Sequence, residues 1–254
     1  MEKQGGQSIQ RAISVIRTVA KYKSRGCNLK TIAKELDLHI ATAHRILGIL
    51  VEEGFIIHDP GTKFYHIGLE LYNLSSKAYF ANLQEYFHST LQRIAQQTED
   101  TVFLIIRSGY ESLCIDRVEG AFPIRAQTVD VGERAPLGLG AGGLSILSFL
   151  PDKETQSLIS ANDGRYTKFT NLTADDVRDL VKTTRNLGYS LISGSRIPGT
   201  TGVGLPVYDS KGTIFAAISV TAVDQRMLPE RHQAVAKIIL EEIKKLGDIN
   251  LAQQ

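Results

Sequence analysis

Apolar residues recur at helical spacing over the first fifty positions. Ile9, Ala12, Ile13, Val15, Ile16, Val19 and Ala20 make one broad stripe, which predicts a helix from Ile9 to Lys21 with Ser8 as its N-cap. The polar run from Lys23 to Asn28 breaks it. Leu29, Ile32, Ala33 and Leu36 then predict a second helix from Leu29 to Glu35, with Asn28 as its cap. A third, Ile40 to Glu53, turns Ala43, Ile46, Leu47 and Leu50 inward. Its outer face of Ala41, Thr42, His44, Arg45 and Gly48 is small, polar or basic, and carries no acid before Glu52. Beyond it Phe55 to His58 and Lys63 to Ile67 read as strands around the turn Asp59-Pro-Gly-Thr62, with Lys63 and His66 expected at the tip. Short helices followed by a ribbon predict a winged helix-turn-helix.

The stretch from Gly68 to Asn82 has the spacing of a linker helix, and Leu83, Phe87, Leu91, Ile94 and Ala95 predict another helix after it. Strands are expected at Thr101 to Arg107, Ser112 to Val118 and Pro123 to Thr128. Later ones are expected at Tyr189 to Ile192, Val203 to Tyr208 and Thr213 to Thr221. Helices fit Ala141 to Leu150, Ala174 to Asn186, and a C-terminal segment with Val235, Ile238, Ile239, Ile243 and Leu246 on one side. Helices and strands mix without regular βα alternation, so the fold class expected is α+β. The expected domains are a winged helix-turn-helix over 1–77, a linker helix over 78–90 and a sensor-like domain over 91–254.

Charge changes the picture once it is divided. Residues 1–50 hold nine Lys and Arg against three acids, 9 − 3 = +6, so the chain's net +2 leaves 2 − 6 = −4 on the rest. A basic module on a mildly acidic body points to a polyanion at one end. With 43% apolar residues among 254, the chain can bury a core, and no apolar run approaches the ~20 residues a bilayer span needs. The first residues have no apolar stretch of the secretory kind, so a cytoplasmic protein without membrane contact is expected. Thr42, His44 and Arg45 are the candidates for reading double-stranded DNA, with Arg11, Lys30, Thr31, Lys63 and His66 positioning its backbone.

Chemical motifs are sparse. Glycines 138, 140 and 143 match a dinucleotide fingerprint in spacing, but Pro136 stands where that motif needs an apolar strand, so no cofactor is expected. A Gly-rich helix start offers free N–H groups to a carboxylate or phosphate, or else allows a close backbone crossing. Cys27 and Cys114 suit neither a disulfide framework nor a metal site, and Cys114 reads as a small core residue. No serine lies in a nucleophile elbow and no acid/base pair stands out, so no catalytic residue is assigned. An enzyme acting on a small acid, or a winged helix that docks protein, are the competing readings.

Several pieces in order carry a resemblance over nearly the whole chain. Ser8-Ile-Gln-Arg-Ala-Ile13, Ile32-Ala, His44-Arg-Ile-Leu47, Glu53-Gly-Phe55 and Asp59-Pro-Gly resemble the winged helix of the IclR family of bacterial transcriptional regulators. Gly132, Pro136-Leu137 before the Gly-rich helix, Gly188-Tyr189, Pro206-Val207 and Ala217-Ile-Ser-Val220 resemble that family's effector domain. The resemblance implies a GAF-like effector-binding domain, a homodimer or dimer of dimers on a palindromic operator, and control by a small organic acid, aromatic acids included. It places effector contacts at Gly140, Ala141, Gly202, Ser219 and Thr221, to which Cys114 and Arg125 are added as candidates, with Arg196 a further source of charge. The family usually has His or another polar residue at Gly138, Gly-Lys at Gly142-Gly143, often an acid near Ser195 and frequently a Cys near Gly202, so this chain's side chains are smaller there. A roomier pocket and a ligand larger than a two-carbon acid are therefore expected.

Overall fold

The computed structural model describes residues 4–75 and 83–247, and the chain divides into two units, Met1–Ala81 and Asn82–Gln254. The expected boundary at Lys77 and the start of the expected linker helix lie outside the described residues. In the first unit, helix α1 spans Gln4–Lys21, so Ser8 lies inside it rather than at its cap. Val15, Thr18 and Val19 enter the core, whereas Ile9 and Ile13, further round the helix, are exposed. The broad apolar stripe therefore overstates the buried face: α1 packs against its neighbours along one side only.

A 3-10 turn at Lys23–Arg25 and the short strand β1 (Cys27–Asn28) lead into α2 (Leu29–Glu35), where the Asn28 side chain accepts from Thr31 N at 2.9 Å. Asp37 takes a left-handed turn (φ +49), and α3 (Ile40–Glu52) buries Ala43, Ile46, Leu47 and Leu50 as its spacing requires. Strands β2 (Ile56–Asp59) and β3 (Phe64–Ile67) pair antiparallel, and β1 adds a third strand that periodicity missed because it is two residues long. Asp59 closes the turn by accepting from Gly61 N and the Thr62 hydroxyl. Helix α4 spans Leu69–Ser75.

The second unit is a six-stranded antiparallel sheet with helices on both faces. Its elements are α5 (Leu83–Thr98), β4 (Thr101–Ser108), β5 (Glu111–Val118), β6 (Arg134–Pro136) and α6 (Gly140–Phe149). There follow α7 (Asp152–Ala161), α8 (Tyr166–Phe169), α9 (Ala174–Leu187), β7 (Ser190–Ser193), β8 (Thr200–Tyr208), β9 (Ile214–Val223) and α10 (Pro229–Lys244). The strand order is β6-β5-β4-β9-β8-β7. The fold class is α+β, as its mixed pattern indicated.

Alternation along the strands splits the apolar residues between two cores. Val102, Leu104, Val203, Leu205, Ile218 and Val220 pack with α5 and α10 on one face. Phe103, Ile105, Cys114 and Ala217 pack with α6, α8 and α9 on the other. No strand forms at Pro123–Thr128. The edge of β5 pairs instead with β6, Leu113 opposite Arg134, and Pro136 lies on this edge strand, where a missing N–H costs little. Helix α9 carries a capping box, Thr173 with Asp176, and ends at Gly188 in the left-handed conformation.

Candidate functional site

A cavity of about 50 Å³ lies in the second unit between the sheet and the start of α6. Its floor follows from three local features. First, Gly204 lets α6 rest directly on β8: a Cβ there would lie 2.9 Å from Ala141 O. The Ser190 hydroxyl donates to that same carbonyl at 2.7 Å and fixes the approach. Second, α6 begins at Leu139 with no side-chain cap and no acid in its first turn, so the N–H groups of its glycine-rich start remain available and its positive dipole end is uncompensated. Third, the register sets Ser219 opposite Phe103 and Thr221 opposite Thr101, and alternation turns both hydroxyls to the α6 face.

Those hydroxyls are the sharpest chemical signal in the cavity. Ser219 is 4% exposed and Thr221 8%, both line the cavity, and neither side chain has a hydrogen-bond partner among the described residues. Neither oxygen is sealed off: both open onto the cavity, where a ligand or water can meet them. Together with the N–H groups of α6 they form a nest for an oxyanion.

Of the residues expected to bind an effector, Gly140, Ala141, Gly202, Ser219, Thr221 and Cys114 all line this one cavity. Arg125 does not. It is half exposed and pairs with Glu119 on the loop after β5. Arg196 does line it, as do Glu133 and Arg134, which periodicity could not single out because they follow a long irregular segment. The Arg134 guanidinium turns to Ser108 Oγ (2.8 Å) and Glu111, whereas Arg196 pairs with Glu133 across the cavity mouth. Burial pushes the Cys114 thiol up to about 12, so it stays protonated and is a poor nucleophile at neutral pH.

The expectation of a roomy pocket is overturned. Gly138 does not reach the cavity: a Cβ there would meet Leu147 at 2.9 Å and Val177 at 3.0 Å. The space beside Gly142 is filled by Ile105, which a Cβ at that glycine would meet at 2.5 Å. Likewise Ser112 fills the space beside Gly143 (3.3 Å) and Ala141 that beside Gly202 (3.0 Å). The small residues admit neighbouring backbone and side chains rather than leaving a void. At 50 Å³ the cavity is well below the order of 150 Å³ that takes up a benzene ring. As it stands it suits a compact acid, and an aromatic one requires the mouth to open.

In the first unit, α3 presents His44 and Arg45 fully outward, with Thr42 half buried beside them. The helix start at His39 has no side-chain cap and no acid in its first turn, which suits a phosphate. Lys30 is exposed on α2, but the Thr31 hydroxyl is engaged by Asn28 at 3.0 Å and acts in the cap. Arg11 is half buried on α1. Lys63 stands exposed at the turn of the β2–β3 ribbon in a left-handed conformation (φ +61). His66 is not at that tip. It lies opposite Ile57 in mid-strand with its ring over Gly26, where a Cβ would come within 2.4 Å of it.

Among the described residues no group of three or more His, Cys, Asp or Glu could hold a metal ion, and no helix is long and apolar enough to cross a membrane.

Comparison with known proteins covers both units. The model of the IclR helix-turn-helix domain matches residues 8–60, and that of the bacterial transcriptional regulator IclR C-terminal domain matches residues 78–247. The HTH-type transcriptional repressor AllR of Klebsiella pneumoniae is 26% identical over 246 residues, covering 96% of this chain and 89% of that protein. The repressor of the same name from Escherichia coli K12 is 25% identical over 248 residues, covering 96% and 90%. Among solved structures, the Thermotoga maritima IclR aligns with a TM-score of 0.66 at 24% identity, covering 94% of this chain and 97% of that one. An IclR homologue from Microbacterium hydrocarbonoxydans, solved with 4-hydroxybenzoate, aligns with a TM-score of 0.71 at 19% identity, covering 94% and 98%.

Proposed function

The chain belongs to the IclR family of DNA-binding transcriptional regulators with a C-terminal effector domain, and from that premise we propose how this member works. It binds a palindromic operator as a homodimer or a dimer of dimers, in the cytoplasm, and a small organic acid in the second unit sets its affinity. The working division is 1–77 for DNA, 78–90 for the linker helix and 91–254 for the effector. The observation that carries the reading is the outward face of α3, with Thr42, His44 and Arg45 and no acid until Glu52, in a segment of formal charge +6. Such a face suits the major groove, where base edges are read between phosphates. Arg11, Lys30 and Lys63 contact the DNA backbone. Thr31 and His66 contribute less, because one caps α2 and the other packs on Gly26.

On the effector side the acid's carboxylate lies between the α6 N–H groups at Gly140 and Ala141 and the hydroxyls of Ser219 and Thr221. Cys114 and Gly202 supply the apolar wall, and no catalytic group is assigned. The relative solved with 4-hydroxybenzoate supports an acid of this kind. The effector must bind two conformations unequally, because equal affinity shifts nothing. We propose that it moves the segment between Leu69 and Thr90, and with it the spacing of two recognition helices, which a dimer needs at about 34 Å or a multiple. Exposed Ile9, Ile13, Leu69 and Tyr72 supply apolar surface for the second copy.

The test is a band shift of the full chain on upstream DNA of its own gene and on random DNA, across salt and with added acids. Operator preference with a steep fall in affinity with salt supports the reading. Salt-independent binding, or no sequence preference, overturns it in favour of a protein-docking winged helix. Depletion of an added acid would instead favour an enzyme.

A further inference from the structure

The cavity has a mouth, and two charged side chains from opposite rims meet across it. One rim is the loop joining β7 to β8. It leaves and re-enters the sheet at Gly194 (φ +63) and Gly199 (φ +81), and Gly194 N donates to Thr200 O at 2.8 Å, tying the ends of the loop together. Arg196 lies between them, and its side chain is only 12% exposed. The other rim is the segment leading into β6. There Glu133 is fixed twice: its carbonyl accepts from Cys114 N at 3.1 Å, and its carboxylate Oε2 accepts from Asp130 N at 3.0 Å. Its remaining oxygen, Oε1, meets Arg196 Nη2.

Charge makes this pair more than a clasp. Glu133 is the one acid among the described lining residues, beside two arginines and the uncapped start of α6. Arg134 points to Ser108 and Glu111. Arg196 is therefore the lining cation whose partner stands at the mouth.

The geometry points to a carboxylate-exchange gate, an inference that rests on the reading of the cavity as an acid-binding site. In the empty protein Glu133 holds the Arg196 guanidinium at the mouth; an entering acid, its carboxylate seated against the α6 N–H groups and the Ser219 and Thr221 hydroxyls, draws that guanidinium onto itself in place of Glu133. Arg196 selects anions over neutral isosteres, and Glu133 is the internal competitor that sets how much acid is needed. Opening the pair also uncouples the two rims, so that Arg196 can swing aside and give a larger acid the room that 50 Å³ lacks, while Thr200 and Asp224 still hold the loop at Ile197 and Gly199. No bond is made or broken. One ion pair replaces another, and Glu133 passes to solvent, where it is already 39% exposed.

The experiment measures binding of acetate, pyruvate, benzoate and 4-hydroxybenzoate, each beside its amide, to the full chain by thermal shift against concentration. It compares wild type with Glu133→Gln, Arg196→Gln, Arg196→Lys and, as a control inside the cavity, Ser219→Ala. Melting without ligand shows that each variant folds. Glu133→Gln is expected to tighten binding of the preferred acid by roughly tenfold, and Arg196→Gln to weaken it by at least about tenfold, the factor carried by one hydrogen bond to a charged group. Arg196→Gln also abolishes the preference for acid over amide, and Arg196→Lys restores part of it. If both neutral variants weaken binding alike, or Arg196→Gln keeps the acid preference, the pair is only a structural clasp. In that case loss of binding in Ser219→Ala still upholds the cavity. No response of the wild type to any acid overturns cavity and gate together.

Discussion

Removing the Ser219 hydroxyl should weaken effector binding without weakening the fold. In an ordinary buried serine the two effects run together, because the hydroxyl already bonds to the protein. Here Ser219 is 4% exposed and has no partner among the described residues, so Ser219→Ala removes no bond from the empty protein. Its oxygen opens onto the cavity and is not sealed away from water. A water in the 50 Å³ cavity can bond to it, so the hydroxyl adds little strain to the empty protein. The expected change in the ligand-free protein is therefore between zero and a gain of about 1 kcal/mol, at most a few degrees in Tm for a domain of this size. With an acid bound, the same hydroxyl donates to a carboxylate, worth about 1.5–3 kcal/mol, or roughly 10- to 150-fold in Kd. Thr221→Val should behave alike. Differential scanning fluorimetry with and without benzoate, 4-hydroxybenzoate, acetate and pyruvate separates the two quantities. A fall of several degrees without ligand, together with an unchanged response to the acid that stabilises wild type, would refute the argument.

Other expectations follow from the same geometry. Arg45→Ala should weaken operator binding by roughly 1–3 kcal/mol if the side chain reads a base. An equal loss on random DNA would make it a phosphate contact. Glu242, 1% exposed on α10, accepts from Arg93 Nε (2.6 Å), Gln97 Nε2 (2.9 Å) and Lys245 Nζ (2.6 Å). Burial pushes its carboxyl up, but those bonds outweigh burial and hold it at about 2 instead of the usual 4.5. A depressed carboxylate stabilises the fold above its unfolded pKa, so Glu242 contributes about 3 kcal/mol at neutral pH. That contribution fades as the pH falls from about 4.5 through 2. Glu242→Gln should lower the urea midpoint clearly at pH 7 and much less at pH 3, whereas equal losses at both would contradict it. Gly204→Ala sets a Cβ 2.9 Å from Ala141 O, a backbone atom that cannot step aside. It should cost about 1–3 kcal/mol and abolish the thermal response to acids.

Periodicity revealed most of the first unit because its helices are amphipathic and its turn is chemically explicit: the inner face of α3 is the buried set Ala43, Ile46, Leu47 and Leu50. Ile9 and Ile13 misled, since apolar spacing marks a broad face of a helix and does not say how much of it is covered. The cavity was legible in pieces. Ser219 and Thr221 could be put on one face by alternation alone, but only the pairing of β9 with β4 and β8 brings them to α6, and register between distant strands leaves no local mark. Glu133 and Arg196 are 63 residues apart and lie in irregular segments, so nothing local to either announced their meeting. The glycines were read as absent bulk. In the fold they are points of close approach, because a neighbour fills the space that a missing Cβ leaves.

Strand β9 has a consequence of its own. Ser219 and Thr221 face the cavity, while Ile218 and Val220, one position away, lie in the core that α5 and α10 seal. The cavity wall and the packing surface of α5, the helix that follows the DNA-binding unit in the chain, are thus two sides of a single peptide ribbon. A ligand bonded to the hydroxyls would therefore pull on the backbone that also carries the opposite face. Methyl resonances of Ile218 and Val220 should accordingly respond to an acid that never touches them.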